Sequence, residues 1–298
     1  MDIILTDIGI LAHRYLYSMN NVLVAVSDSN YIRYFLPLIE SAIEKGKWDG
    51  DFCLIINDDT NNEYTTMIED KGIHIFRPSV LPQNPPPHFY KIYLFDDYFK
   101  QWDWVLFSDL DVLFLNDIDL ELKNKDKDFL YTKKDGLTFM NHFYGASDGF
   151  MTDKPIQLSD EQKNERDKIF EKYGDGDAFQ TCFLLYHSDM INKKYLEKLK
   201  DAYLYYYCYY ELARNSWWDQ SIFNIVFHNQ WMDLGDKFLN TNPTLIDINW
   251  ELDVLKNGYM DTNDYSNITA LHFFNFFPPW DENNLRFYPI WKEYHDRY

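Results

Sequence analysis

Between Trp104 and Leu115 two carboxylates, Asp109 and Asp111, stand inside an otherwise apolar run. Desolvated carboxylates must be paired or coordinate a metal, so the middle of a buried strand has no use for them. The pattern predicts a strand that leaves regular geometry at this point and turns both groups of oxygens toward something positive. Oxygen ligands of this kind suit Mg²⁺ or Mn²⁺, which keep open positions for substrate phosphates. Asp-x-Asp by itself also marks ordinary strand ends with solvated acids. The apolar flanks weigh against that plainer interpretation.

The segments before this run fix the fold class. Val22 to Ser27 is continuously apolar, as expected of a strand covered on both faces, and Phe35, Leu38, Ile39, Ala42 and Ile43 follow at helical spacing within Tyr31 to Lys45, closed by Gly46. The cycle repeats with Phe52 to Ile56, the polar corner Asn57-Asp58-Asp59, a helix near Asn61 to Lys71, and Ile73 to Phe76. Strands alternating with helices predict an α/β domain with a doubly wound, mostly parallel twisted sheet flanked by helices. After Pro85-Pro86-Pro87, a short helix over His88 to Lys100 leads into the acidic run. In open α/β sheets ligands bind outside the carboxyl ends of the strands, where Asp109 and Asp111 fall.

Later segments are less periodic. Residues 133 to 158 read as loops over the site. Ser159 starts a helix with Gln162 completing a capping box and Gly174 ending it, Phe179 to Tyr186 is a buried strand, and Ser188 to Ala213 is one long helix wrapped by tyrosines. With no internal repeat and no linker, all 298 residues are expected to form one domain.

A hydrophobic fraction of 46% with 24 Tyr, 23 Phe and 9 Trp argues against disorder. A formal charge of −20 repels nucleic-acid phosphates and anionic membranes, so no nucleic-acid partner is expected. Phosphate still binds where a metal inverts the local sign. Cys53, Cys182 and Cys208 lack metal-ligand spacing and read as buried free thiols. Met1 to Asp7 carries acids where a signal peptide needs bases, and no apolar run approaches about 18 residues. A cytoplasmic protein without an integral membrane segment is expected. Asn267-Ile268-Thr269 matches a glycosylation sequon by chance in that setting.

Three further segments accompany the acidic run in order: Tyr90-Lys91, Trp217 to Asn224, and Leu271 to Phe274 before Pro278-Pro279-Trp280. Together they resemble the glycosyltransferases of family 8, the glycogenin and lipopolysaccharide galactosyltransferase group, which have the GT-A nucleotide-sugar fold. The resemblance spans residues 20 to 285, and its specific part is the central Asp-x-Asp. It implies a metal-dependent hexosyl transfer with retention, from UDP-glucose or UDP-galactose to a glycan or protein acceptor, with Mn²⁺ or Mg²⁺ as cofactor. It places Val26, Ser27, Asp28 and Tyr31 near the base, makes Asp109 and Asp111 the metal pair with His272 as third ligand, and brings Lys91 toward the donor. Asp219 and Gln220 match the family's Asp-Gln pair beneath the sugar, with Gln180 beside it. Residues 20 to 120 form the nucleotide-sugar half, and residues 121 to 298 bind the acceptor and complete the site.

The chain departs from that family at three places. Its closing pattern has Pro278 where the family carries a lysine against the diphosphate, and Gln180 and Cys182 replace Asn and Gly. For the chemistry two routes stay open: Gln220 stabilising the sugar while the acceptor attacks from the leaving-group side, or Asp219 acting as covalent nucleophile. A haloacid-dehalogenase-type phosphatase also uses Asp-x-Asp after an apolar strand, but nearer the N-terminus and with its acidic metal pair downstream. A non-catalytic protein on the same fold is the remaining alternative.

Overall fold

The computed structural model describes residues 20–57, 63–118, 120, 122–139, 157–174, 176–213, 218–240, 264–273 and 278–298. Strand β1 (Asn21–Ser27) lies mid-sheet, and its apolar run splits by pleat into two cores. Val22, Val24 and Val26 face one, while Leu23 and Ala25 face the other. The second core is closed by helix α1 (Phe35–Glu44) and helix α2 (Glu63–Asp70). The first is closed by the 3₁₀ segment Pro87–Phe95, helix α4 (Tyr195–Ala202) and helix α5 (Trp218–Val226). Covering both faces is what allows an unbroken apolar strand.

With β2 (Asp51–Ile56), β3 (His74–Phe76), β4 (Trp104–Ser108), β6 (Leu130–Thr138), β7 (Asp177–His187) and β8 (Trp231–Asp233), the main sheet has the order β3-β2-β1-β4-β7-β6-β8. The pairs β1–β2, β2–β3, β1–β4 and β6–β8 are parallel, and β7 runs against both its neighbours. From β1 the chain moves outward to β3 and then returns to β4 on the opposite side of β1. Strand order therefore reverses between β1 and β4, and the crevice beyond their carboxyl ends is the ligand position of such sheets.

A smaller sheet, β5 (Val112–Phe114), β10 (Ala270–His272) and β9 (Phe238–Asn240), begins immediately after the acidic pair. Asp109, Leu110 and Asp111 thus form the joint between two sheets, which is the expected departure from strand geometry.

Several expectations are corrected. The long helix over Ser188 to Ala213 is three pieces: a 3₁₀ segment Ser188–Lys193, α4, and a π-helical segment Tyr203–Tyr209. Lys194, in the left-handed region at φ 60°, breaks the first from the second. The wide π turn stacks Tyr203 on Tyr207 at 5.0 Å and sets both against Phe89, so tertiary packing outweighs the simple helical period. His88 to Lys100 is 3₁₀, interrupted at Asp96. Residues 133 to 138 belong to β6 rather than to a loop, while 140–156 lie outside the described residues, as do Asp58 and Asp59. Helix α3 (Asp160–Tyr173) has the expected Ser159/Gln162 capping box and ends at Gly174, φ 70°. Cys53 and Cys182 are buried free thiols; Cys208 is half-buried. No helix among the described residues is long and apolar enough to cross a membrane.

Candidate functional site

Two hydrogen bonds hold the acidic joint in place. The Asp109 N–H donates to the Cys182 carbonyl at 3.0 Å, because β7 overhangs the end of β4, and the Phe273 N–H donates to the Asp111 carbonyl at 2.9 Å. The second bond extends the β5–β10 ladder, in which His272 pairs with Val112. His272 Nε2 consequently lies 3.2 Å from Asp111 and 3.8 Å from Asp109. One ligand atom from each of the three falls within 4.8 Å of the others, a two-oxygen, one-nitrogen set that fits a divalent cation such as Mn²⁺ or Mg²⁺. The three residues expected as ligands are brought together from three strand ends.

Behind them sits Lys91, 4% exposed, on the 3₁₀ segment Pro87–Phe95. Its ammonium lies 2.9 Å from Asp109 and 3.2 Å from Asp219, and donates to the Thr181 carbonyl at 3.3 Å. Thr181 Oγ1 donates to Asp219 Oδ2 at 2.9 Å. Burial disfavours the charged form of Lys91, but Asp109 and Asp219 overcome it and hold the ammonium above its ordinary value. Burial pushes the Asp109 carboxyl up, against the pull of Lys91. For His272 burial opposes the proton, yet Asp111 beside it raises the imidazole well above its usual range.

Asp219 lies in the first turn of α5, whose positive end favours an acid there. Gln220, next to it, donates to Asp135 Oδ2 at 2.8 Å, and Gln180 donates to Asp135 Oδ1 at a marginal 3.5 Å. Asn224 reaches back to both the N–H and carbonyl of Phe179, locking α5 to β7. At the end of β1, Val26 and Ser27 are buried. Asp28 Oδ1 accepts from the N–H groups of Asn30 and Tyr31 in the turn after β1, and Tyr31 is 49% exposed. Lys91 is committed to two carboxylates, and Arg286 lies over the rings of Tyr265 and Phe287. Trp280 stacks on Tyr34 at 4.2 Å, joining the C-terminal segment to the turn after β1.

Two residues were missed. Asp135 falls where periodicity is lost, because register shifts interrupt the β6–β7 ladder at Lys134, and no sequence signal marks it. His88 did carry one. In a 3₁₀ helix residues i and i+3 eclipse, so His88 and Lys91 share a face, and His88 Nε2 lies 4.0 Å from Asp219 Oδ1.

No protein-family model matches the chain, and no curated protein sequence matches it. Solved structures do. The apo form of the glycosyltransferase GlyE of Streptococcus pneumoniae TIGR4 aligns with a TM-score of 0.59 at 17% identity, over 93% of this chain and 60% of GlyE. The bifunctional glycosyltransferase WbbM gives 0.61 at 16% identity, over 94% of this chain and 50% of its own. The galactosyltransferase LgtC, solved with donor and acceptor sugar analogues, gives 0.54 at 16% identity, over 93% of this chain and 95% of its own. This chain thus spans only half to three fifths of GlyE and WbbM, but nearly all of LgtC. At these identities the likeness is one of fold: the chain has the GT-A-type α/β fold expected from its motifs.

Proposed function

We propose that this protein is a metal-dependent glycosyltransferase, moving a hexose with retention from UDP-glucose or UDP-galactose to an acceptor hydroxyl. The observation that carries this reading is the convergence of Asp109, Asp111 and His272 at the point where strand order reverses. A nucleoside diphosphate leaves with two negative charges, which a net charge of −20 would repel. A bound Mn²⁺ or Mg²⁺ would neutralise them there. Val26, Ser27, Asp28 and Tyr31 would receive the base, so that residues 20 to 120 bind the donor and the remainder completes the site.

The residues around Lys91 divide the remaining work. Lys91 fixes Asp109 and Asp219 relative to each other, and Thr181 adds a second bond to Asp219 Oδ2. A carboxylate so engaged is a weakened nucleophile. This favours attack by the acceptor on the leaving-group side, with the Gln220 amide, held by Asp135 and flanked by Gln180, against the sugar.

The test is incubation with Mn²⁺ and UDP-, GDP- and dTDP-sugars, following slow donor hydrolysis. UDP-glucose or UDP-galactose should be hydrolysed, and chelation should stop it. Phosphatase activity on sugar phosphates, lost with Asp109→Asn, would overturn the reading. A second expectation concerns pH. His272 must release its proton to bind a cation, and Asp111 raises that proton's affinity, so the metal-binding window lies above the pH of about 6.5 expected of an ordinary histidine. Mn²⁺ affinity should climb about tenfold per pH unit below the raised value, with about one proton released per ion in calorimetry across buffers of different ionisation enthalpy. Affinity independent of pH between 6 and 8 would make His272 structural.

A further inference from the structure

Rings rather than caps hold the second half of the turn after β1. Asp28 fixes its first half through the N–H groups of Asn30 and Tyr31, but neither the 3₁₀ segment Ile32–Tyr34 nor helix α1 behind it has a capping side chain. Helix starts ordinarily draw on such a side chain. Here the Tyr34 ring lies flat on Trp280, with centroids 4.2 Å apart and planes 7° from parallel, and Trp291 packs against Tyr34 at 5.8 Å. Tyr31 in turn lies 5.9 Å from Tyr34.

Trp280 and Trp291 belong to the C-terminal arm, residues 278–298, whose helix α6 (Tyr288–His295) packs along α1. The arm also meets the strand that carries a metal ligand. Phe287 lies edge-on to Phe273, next to His272, at 5.0 Å. Tyr34, Leu271, Phe273, Phe287 and Trp291 form one apolar cluster, against which Trp280 and Leu110, the residue between the two acids, also pack. Trp291 Nε1 is buried there without a hydrogen-bond partner, so that indole is seated for its ring and not for its N–H. One cluster therefore ties the turn expected to receive the base to the segments that hold the cation. The two ends depend on it differently. His272 and Asp111 are fixed by the β5–β10 ladder and by the Phe273 N–H bond to the Asp111 carbonyl, whereas the turn has no ladder beyond Ser27 and leans on Tyr34.

We propose that Trp280 is a positioning residue for base selection: stacked on Tyr34, it sets the turn from Asp28 to Tyr31 where the polar groups of that turn meet the base. A site rejects a wrong partner by leaving such groups unpaired, so discrimination falls when they are displaced. The attraction of a diphosphate for the cation is common to every base and is untouched. This role rests on the glycosyltransferase reading above, and adds to it a determinant of nucleotide choice outside the residues placed against the donor.

UDP and GDP binding is measured by calorimetry at saturating Mn²⁺ for the wild-type protein, Trp280→Phe and Trp280→Leu. The wild type should prefer UDP by about tenfold or more. Trp280→Phe keeps a stacking ring and should keep the preference. Trp280→Leu leaves an apolar side chain without a ring, and a stacked pair is worth about two- to tenfold, so UDP affinity should fall by about that factor. GDP affinity, and Mn²⁺ affinity without nucleotide, should stay within about twofold, so the preference narrows while the metal centre is intact. A structural role would not separate the two nucleotides. UDP and GDP affinities that fall together, a preference undiminished in Trp280→Leu, or loss of Mn²⁺ binding or of the fold in that variant overturns the positioning role and leaves the donor reading standing. A wild-type protein that binds neither nucleotide with Mn²⁺, or shows no preference for UDP, overturns the donor reading itself.

Discussion

Lys91→Met is expected to destabilise the fold by about 3 kcal/mol, read as a drop in the urea midpoint. Removing one partner of a buried ion pair costs about 3–5 kcal/mol, because the remaining charge is left desolvated. Lys91 is buried between two carboxylates, but the Asp109 side chain keeps a quarter of its surface open, and water there softens the penalty toward the lower end. The Lys91→Met/Asp219→Asn pair should recover part of the loss, since it removes one of the stranded charges. Lys91→Arg is no rescue: a planar guanidinium does not fit a site built for a compact ammonium that reaches Asp109, Asp219 and the Thr181 carbonyl at once. An unchanged midpoint in Lys91→Met would mean that the carboxylates do not depend on the lysine.

The early strands were legible because burial on both faces leaves a plain mark, the unbroken apolar runs of β1 and β2. The acidic joint was legible for the opposite reason, since carboxylates inside such a run need a partner. What stayed hidden depends on tertiary packing. The reversed direction of β7 has no signature, because a strand buried on both faces reads the same in either sense. The break at Lys194 and the π turn arise where Tyr203 and Tyr207 must meet Phe89, a residue more than a hundred positions earlier in the chain. Asp135 reaches Gln220 only because the β6–β7 register shifts. Lys91 was expected at the donor. Its bonds to Asp109 and Asp219 give it a prior task, that of setting the distance between the metal ligands and the acid of α5.

Asp111→Asn is expected to abolish Mn²⁺-dependent binding of a nucleoside diphosphate. Mutating groups that merely orient metal ligands costs about 10- to 100-fold in affinity, and removing a charged ligand should exceed the upper figure. The substitution keeps the side-chain volume and the backbone carbonyl that anchors Phe273, so the fold should survive. It has a second consequence that separates a ligand from a bystander. In the metal-free protein His272 holds its proton above the ordinary histidine range, against burial, because Asp111 lies 3.2 Å away. A group whose pKa is raised on folding stabilises the fold fully below its unfolded value, about 6.5, and loses that contribution as pH rises through the folded value. Wild-type stability without metal should therefore fall across that interval, and added Mn²⁺ should reverse the fall by binding the deprotonated imidazole. The Asp111→Asn protein should show neither the slope nor the reversal. Calorimetric UDP binding that survives Asp111→Asn, with Mn²⁺ still required, would place the cation elsewhere and leave Asp111 as no more than the partner of a buried histidine.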